Sequence, residues 1–173
     1  MSLWLARIVI RPVVFACFVI LAGCRDEAAS PCGDTSGSAY PARNDDCVTI
    51  AEGLWGDVWF WDGDFMPVCP TGTVTAAIRD IRIYELTTPG ETTPADRRGF
   101  YTEVRTPLVV TVRSDRLGFF QAALPPGRYS VFAVEDTLLY SNGFDGEGAI
   151  CPVEVSPGHI TAIRFDINYR ASY

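Results

Sequence analysis

The 173-residue chain contains no lysine: its 14 basic residues are all arginine, set against 21 acidic residues, for a formal net charge of −7. An acidic surface repels phosphate backbones and gains nothing from anionic lipid headgroups, so nucleic acid is not an expected partner. Histidine is almost missing too, His159 being the only one. A nucleophilic serine or cysteine would therefore have one candidate histidine base, and Pro157-Gly158 just before it marks a turn between strands, where a solvated histidine is the simpler reading. No Cys-x-x-Cys occurs, which removes the common zinc spacing; neither a metal nor a cofactor is implied. Nor is there an apolar run of the roughly 20 residues that spans a bilayer, because Arg7, Arg11 and Pro12 interrupt the N-terminal stretch.

What stands there instead is a positive segment, the short apolar run Val13 to Ala22, and then Leu21-Ala22-Gly23-Cys24. Small residues after a short apolar run are the marks of a removed signal. The tetrapeptide resembles the lipobox of bacterial lipoproteins, which implies cleavage before Cys24 and acylation of that cysteine, with palmitate among the chains. Several acyl chains, at about 0.8 kcal/mol for each buried methylene, hold a protein to a membrane where one chain does so marginally. Arg7 and Arg11 would leave with the signal, making the mature chain more acidic by two charges. Arg25, where many inner-membrane lipoproteins carry aspartate, points to the outer membrane. The expected organisation is a signal peptide over 1–23, lipidated Cys24 with a flexible tether over 24–52, and one domain over 53–173, a size suited to one core.

Cys17 falls in the signal, which leaves Cys32, Cys47, Cys69 and Cys151 besides the lipidated Cys24. An even number in an exported protein suggests disulfides, and four cysteines allow three pairings. The favoured set is Cys32 with Cys47, clasping the end of the tether, and Cys69 with Cys151, closing a loop worth up to about 4 kcal/mol.

From Gly53 on the apolar period is two. Ile163, Phe165 and Ile167 alternate with Arg164, Asp166 and Asn168, and the same alternation marks Ile81 and Ile83, Phe120 to Leu124, and Val153 and Val155. Further strands are expected at Trp55 to Trp61, Leu108 to Arg113, Tyr129 to Glu135 and Leu138 to Ser141. Pro125-Pro126-Gly127 suits a type II turn, Asn142-Gly143 and Asp145-Gly146 are turn signals, and Thr87 to Arg98 reads as an exposed loop. Seven or eight short strands without an amphipathic helix predict an all-β, antiparallel β-sandwich.

The run Ser114-Asp115-Arg116-Leu117-Gly118-Phe119-Phe120, followed by Leu124-Pro125-Pro126-Gly127-Arg128-Tyr129-Ser130-Val131, resembles the carboxypeptidase regulatory-like domain. That resemblance implies a transthyretin-like (prealbumin-like) sandwich and no catalytic residues, since the family's modules serve as spacer, binding or adhesion units.

Three of the four tryptophans cluster at Trp55, Trp59 and Trp61. On an alternating strand they share one face with Asp57, while Leu54, Val58 and Phe60 share the other. If the aliphatic face meets the core, the indoles form a possible ligand surface on which sugar rings stack, with Asp57 as polar partner; covering loops would bury them instead. Asp57, Asp62, Asp64, Asp145 and Glu147 supply carboxylates for a hydrolase, and Asp62-Gly63-Asp64 and Asp145-Gly146-Glu147 could hold calcium, although each reads more simply as an acidic turn. The leading expectation is a non-catalytic, membrane-anchored envelope lipoprotein serving a structural or protein-interaction role. Its partners would be the membrane, through lipid, and an envelope protein; the alternative is a glycan.

Overall fold

The computed structural model describes residues 43–67 and 70–173. Among the described residues eleven strands form two sheets: β1 (Gly53–Asp64), β2 (Thr73–Ala76), β3 (Asp80–Glu85), β4 (Thr92–Pro94), β5 (Phe100–Val104), β6 (Leu108–Arg113), β7 (Phe119–Ala123), β8 (Gly127–Glu135), β9 (Leu138–Tyr140), β10 (Pro152–Val155) and β11 (Ile160–Ser172). The four-stranded sheet is built on β1, with β11 along one side and β7 and β2 end to end along the other. The seven-stranded sheet runs β4-β5-β9-β8-β3-β6, with β10 extending the β9 side of β8. Every pair is antiparallel except β1 with β11, which run parallel.

Alternation places the core. Leu54, Val58, Phe120, Phe165 and Ile167 of the smaller sheet meet Ile81, Ile83, Val131, Ala133 and Val155 of the larger one. Burying each of these Leu, Val, Ile and Phe side chains contributes about 1.5–3 kcal/mol. A second apolar cluster, Tyr84, Tyr101, Phe132, Leu139 and Ile150, stands apart from this one. Tyr84 and Tyr101 both meet Phe132 edge-on at 5.6 Å.

All eight expected strands are present, and three more appear beside them. The segment 87–107, expected as an exposed loop, instead supplies β4 and β5, which pair with each other and carry the larger sheet outward from β9. Pro94 does not prevent this, because β4 is an edge strand, where a missing N–H costs no ladder bond. A capping box between Thr88 and Glu91 fixes the turn that leads into β4.

The Ser114 to Val131 stretch passes between the sheets. Its three strands β6, β7 and β8 alternate between the two sheets, so both turns carry the chain across the sandwich. Asp115 Oδ1 accepts the amides of Leu117 and Phe119, and Gly118, at φ 80°, brings its backbone against Val58. Gly127 lacks the positive φ that a type II turn needs. Its role is room: a Cβ there would lie 3.1 Å from the Tyr129 hydroxyl, which donates to the Pro125 carbonyl at 2.7 Å.

Two cysteine expectations meet the structure. Cys47 is disulfide-bonded; Cys24, Cys32 and Cys69 lie outside the described residues, and the favoured Cys32 to Cys47 pairing lies there with them. Cys151 is a free thiol, and this corrects the expected Cys69 to Cys151 bridge. Cys151 sits at φ 39° with its amide on the Gly143 carbonyl, and burial pushes its thiol up to about 11.

Candidate functional site

The tryptophan face lies on β1, within Gly53–Asp64. As expected, Leu54, Val58 and Phe60 turn to the core and Trp55, Asp57, Trp59 and Trp61 turn away. The indoles are nonetheless covered, at 7%, 3% and 7% exposure, and Asp57 is at 1%. Of the two readings of this face, the structure has the covered one, and the alternative of an exposed Trp55, Trp59 and Trp61 ligand surface with Asp57 is ruled out. The Arg43 guanidinium lies 4.8 Å over the Trp55 ring, and Phe119 leans on the same ring at 6.0 Å. Trp61 packs against Phe65 at 4.9 Å and donates from Nε1 to Asp166.

Arg43 to Cys47 fall in the expected tether, but here they are part of the fold. Asn44 Nδ2 donates to Asp57 at 2.6 Å and to the Leu117 carbonyl at 3.2 Å, while Thr49 and Gln121 exchange two hydrogen bonds. Burial raises the Asp57 carboxyl above its ordinary value, opposed by the Asn44 bonds and the Arg43 charge.

The other candidate carboxylates serve as struts. Asp145 accepts the amides of Glu147 and Ala149 and pairs with Arg128, as Glu147 also does. Asp62 pairs with Arg170, and Asp64 accepts the Met66 amide. Among the described residues no three His, Cys, Asp or Glu side chains stand together in a metal-holding group. His159 is exposed in its turn, its Nδ1 2.7 Å from the Pro157 carbonyl oxygen.

A site that the sequence did not suggest opens elsewhere. A cleft of about 430 Å³ is lined by Arg97, Arg98 and Gly99 before β5, by Tyr140 of β9 with Asn142 and Phe144 after it, and by Asn168, Tyr169 and Ala171 of β11. Gly99 permits this convergence. A Cβ there would meet Asn142 and the Tyr140 ring at 3.3 Å, and its carbonyl accepts the Ser141 amide.

The floor is rigid. Phe100, Tyr140 and Tyr169 contact one another at 5.0–5.5 Å between ring centroids. Tyr140 donates to Asn168 Oδ1 at 2.8 Å, and Asn142 donates to the same oxygen. Tyr169 donates to Glu135 at 2.8 Å, and Glu135 in turn pairs with Arg79. Burial pushes the Tyr140 phenol up to about 12 and raises that of Tyr169, which the Glu135 hydrogen bond raises further, so both stay neutral donors. Above Tyr169, at 4.1 Å, lies the Arg97 guanidinium, which also reaches Phe100 at 4.8 Å. The one local signal was Arg97-Arg98-Gly99, a doubled cation in an acidic chain, inside a stretch read as a plain loop. Comparison with known proteins places none beside it: no family model, no curated protein and no solved structure matches this chain.

Proposed function

We propose that this protein is a non-catalytic lipoprotein of the bacterial envelope, anchored through Cys24 to the outer membrane, whose carboxypeptidase regulatory-like sandwich serves as a protein-interaction module. The anchoring half rests on Leu21-Ala22-Gly23-Cys24 behind its short apolar run. The observation that carries the interaction half is the outer edge of β6. No described strand pairs with its far side, and Leu108 and Val109 are 49% and 40% exposed. An open edge of β-branched residues offers a row of backbone donors and acceptors to a partner strand. The envelope protein expected there is one that lends an extended segment. The buried carboxylates favour a structural reading as well, since Asp57 is held by Asn44 and Glu135 by Arg79 and Tyr169.

A photo-crosslinking side chain placed at Val109 in the full-length protein in cells tests the interaction. A discrete adduct from Val109 that is absent when the crosslinker sits at exposed Thr102 of β5 is the expected result. Equal labelling from both positions, or none from Val109, would contradict it.

A further inference from the structure

Arginines elsewhere in the described chain mostly hold a carboxylate: Arg113 has Asp80, Arg128 has Asp145 and Glu147, and Arg170 has Asp62. Arg97 and Arg98 are exposed side by side at the cleft, and neither makes an ion pair with any described carboxylate, including the adjacent Asp96. In a chain of net charge −7 two cations that have no acidic partner among the described residues and line one cavity are where an anion would be held.

The rest of the lining narrows which anion. A guanidinium is a planar fork that matches a carboxylate, and Arg97 has its position set by Tyr169 and Phe100, so little freedom remains to be lost on binding. Asn168 Oδ1 is taken by Tyr140 and Asn142, and Asn168 Nδ2 gives one hydrogen to Tyr173, which leaves the Asn142 oxygen and the second N–H of each amide, held in place, for hydroxyl groups. Phe144, 56% exposed, presents a ring at the same cleft, and an aromatic face takes the C–H face of a sugar. The volume lies within the usual range of small-molecule sites. A bare inorganic anion would leave the ring and the amides unused.

We infer that this cleft is a binding site for an acidic saccharide, in which Arg97 and Arg98 hold the sugar carboxylate, Asn142 and Asn168 meet its hydroxyls and Phe144 stacks on the ring. The site does not depend on the interaction edge at β6.

Calorimetric titration of the full-length chain with trigalacturonate, with its fully methyl-esterified form and with inorganic phosphate tests this. Trigalacturonate should bind saturably. Esterification, which removes the charge and keeps the sugar, should weaken binding roughly tenfold or more, the size of one charge-assisted hydrogen bond. Arg98 makes no described side-chain contact that the fold would lose, so Arg98→Gln should fold normally and also bind roughly tenfold more weakly, while Phe144→Ala should weaken both sugars alike. No binding of trigalacturonate, equal binding of the ester, or full displacement by equimolar phosphate would each overturn the inference, the last by showing a general anion site.

Discussion

A methyl group at Gly118 would sit 2.6 Å from the Val58 carbonyl oxygen, and the residue already stands at φ 80°, where a side chain is strained. Both effects act in the folded state, so Gly118→Ala should lower unfolding free energy by roughly 2–3 kcal/mol in a urea titration; a change under about 0.5 kcal/mol would mean that the turn can move off β1. Asp57 gives a prediction of opposite sign. Its folded carboxyl lies above the ordinary 3.8 because burial outweighs the help of Asn44 and Arg43. An acid raised in the fold binds its proton more tightly there than in the unfolded chain, so stability falls as pH climbs from 3.8 through the folded value. Asp57→Asn keeps an acceptor for Asn44 and removes the buried charge. It should therefore be more stable than the parent at pH 7, with the gain vanishing below pH 3.8; a loss of stability at pH 7 would show that the Arg43 attraction dominates.

Strands were legible wherever one face is buried and the other solvated. The alternation of Ile163, Phe165 and Ile167 located β11, and the Leu108 to Arg113 run located β6. β4 and β5 were hidden because Pro94 and the threonines around it carry turn signals, and their pairing depends on β9, some forty residues on. No local pattern announces the parallel union of β1 and β11, whose partners lie more than a hundred residues apart. The tryptophans of β1 were assigned to the correct face with burial as one of two readings, but the source of the cover was hidden: it comes partly from Phe65 and from Arg43, and composition had placed Arg43 in a tether. The element-scale prediction is optical. Emission from Trp55, Trp59 and Trp61 should be blue-shifted and poorly quenched by acrylamide in the folded protein, and should turn red and quenchable in urea. Red, quenchable emission before unfolding would contradict the burial of this face.

For the whole molecule, the sandwich separates two kinds of surface. The β6 edge has exposed aliphatic side chains and an unpaired row of backbone groups among the described strands, where the extended partner is proposed; the cleft beneath Arg97 has cations, amides and packed aromatic rings, where the acidic ligand is proposed. The cleft was illegible beforehand because it joins three segments, at 97–99, 140–144 and 168–171, that only the fold brings together. Both surfaces serve an envelope protein only if the chain is held at a membrane, and that is the claim on which the functional account turns. The most direct test is incorporation of a labelled fatty acid by cells expressing the full-length precursor or its Cys24→Ala variant. A labelled mature protein that enters the detergent phase, and an unlabelled variant that does not, are the expected results. An unlabelled parent chain, or a Cys24→Ala chain carrying the same label, would contradict it.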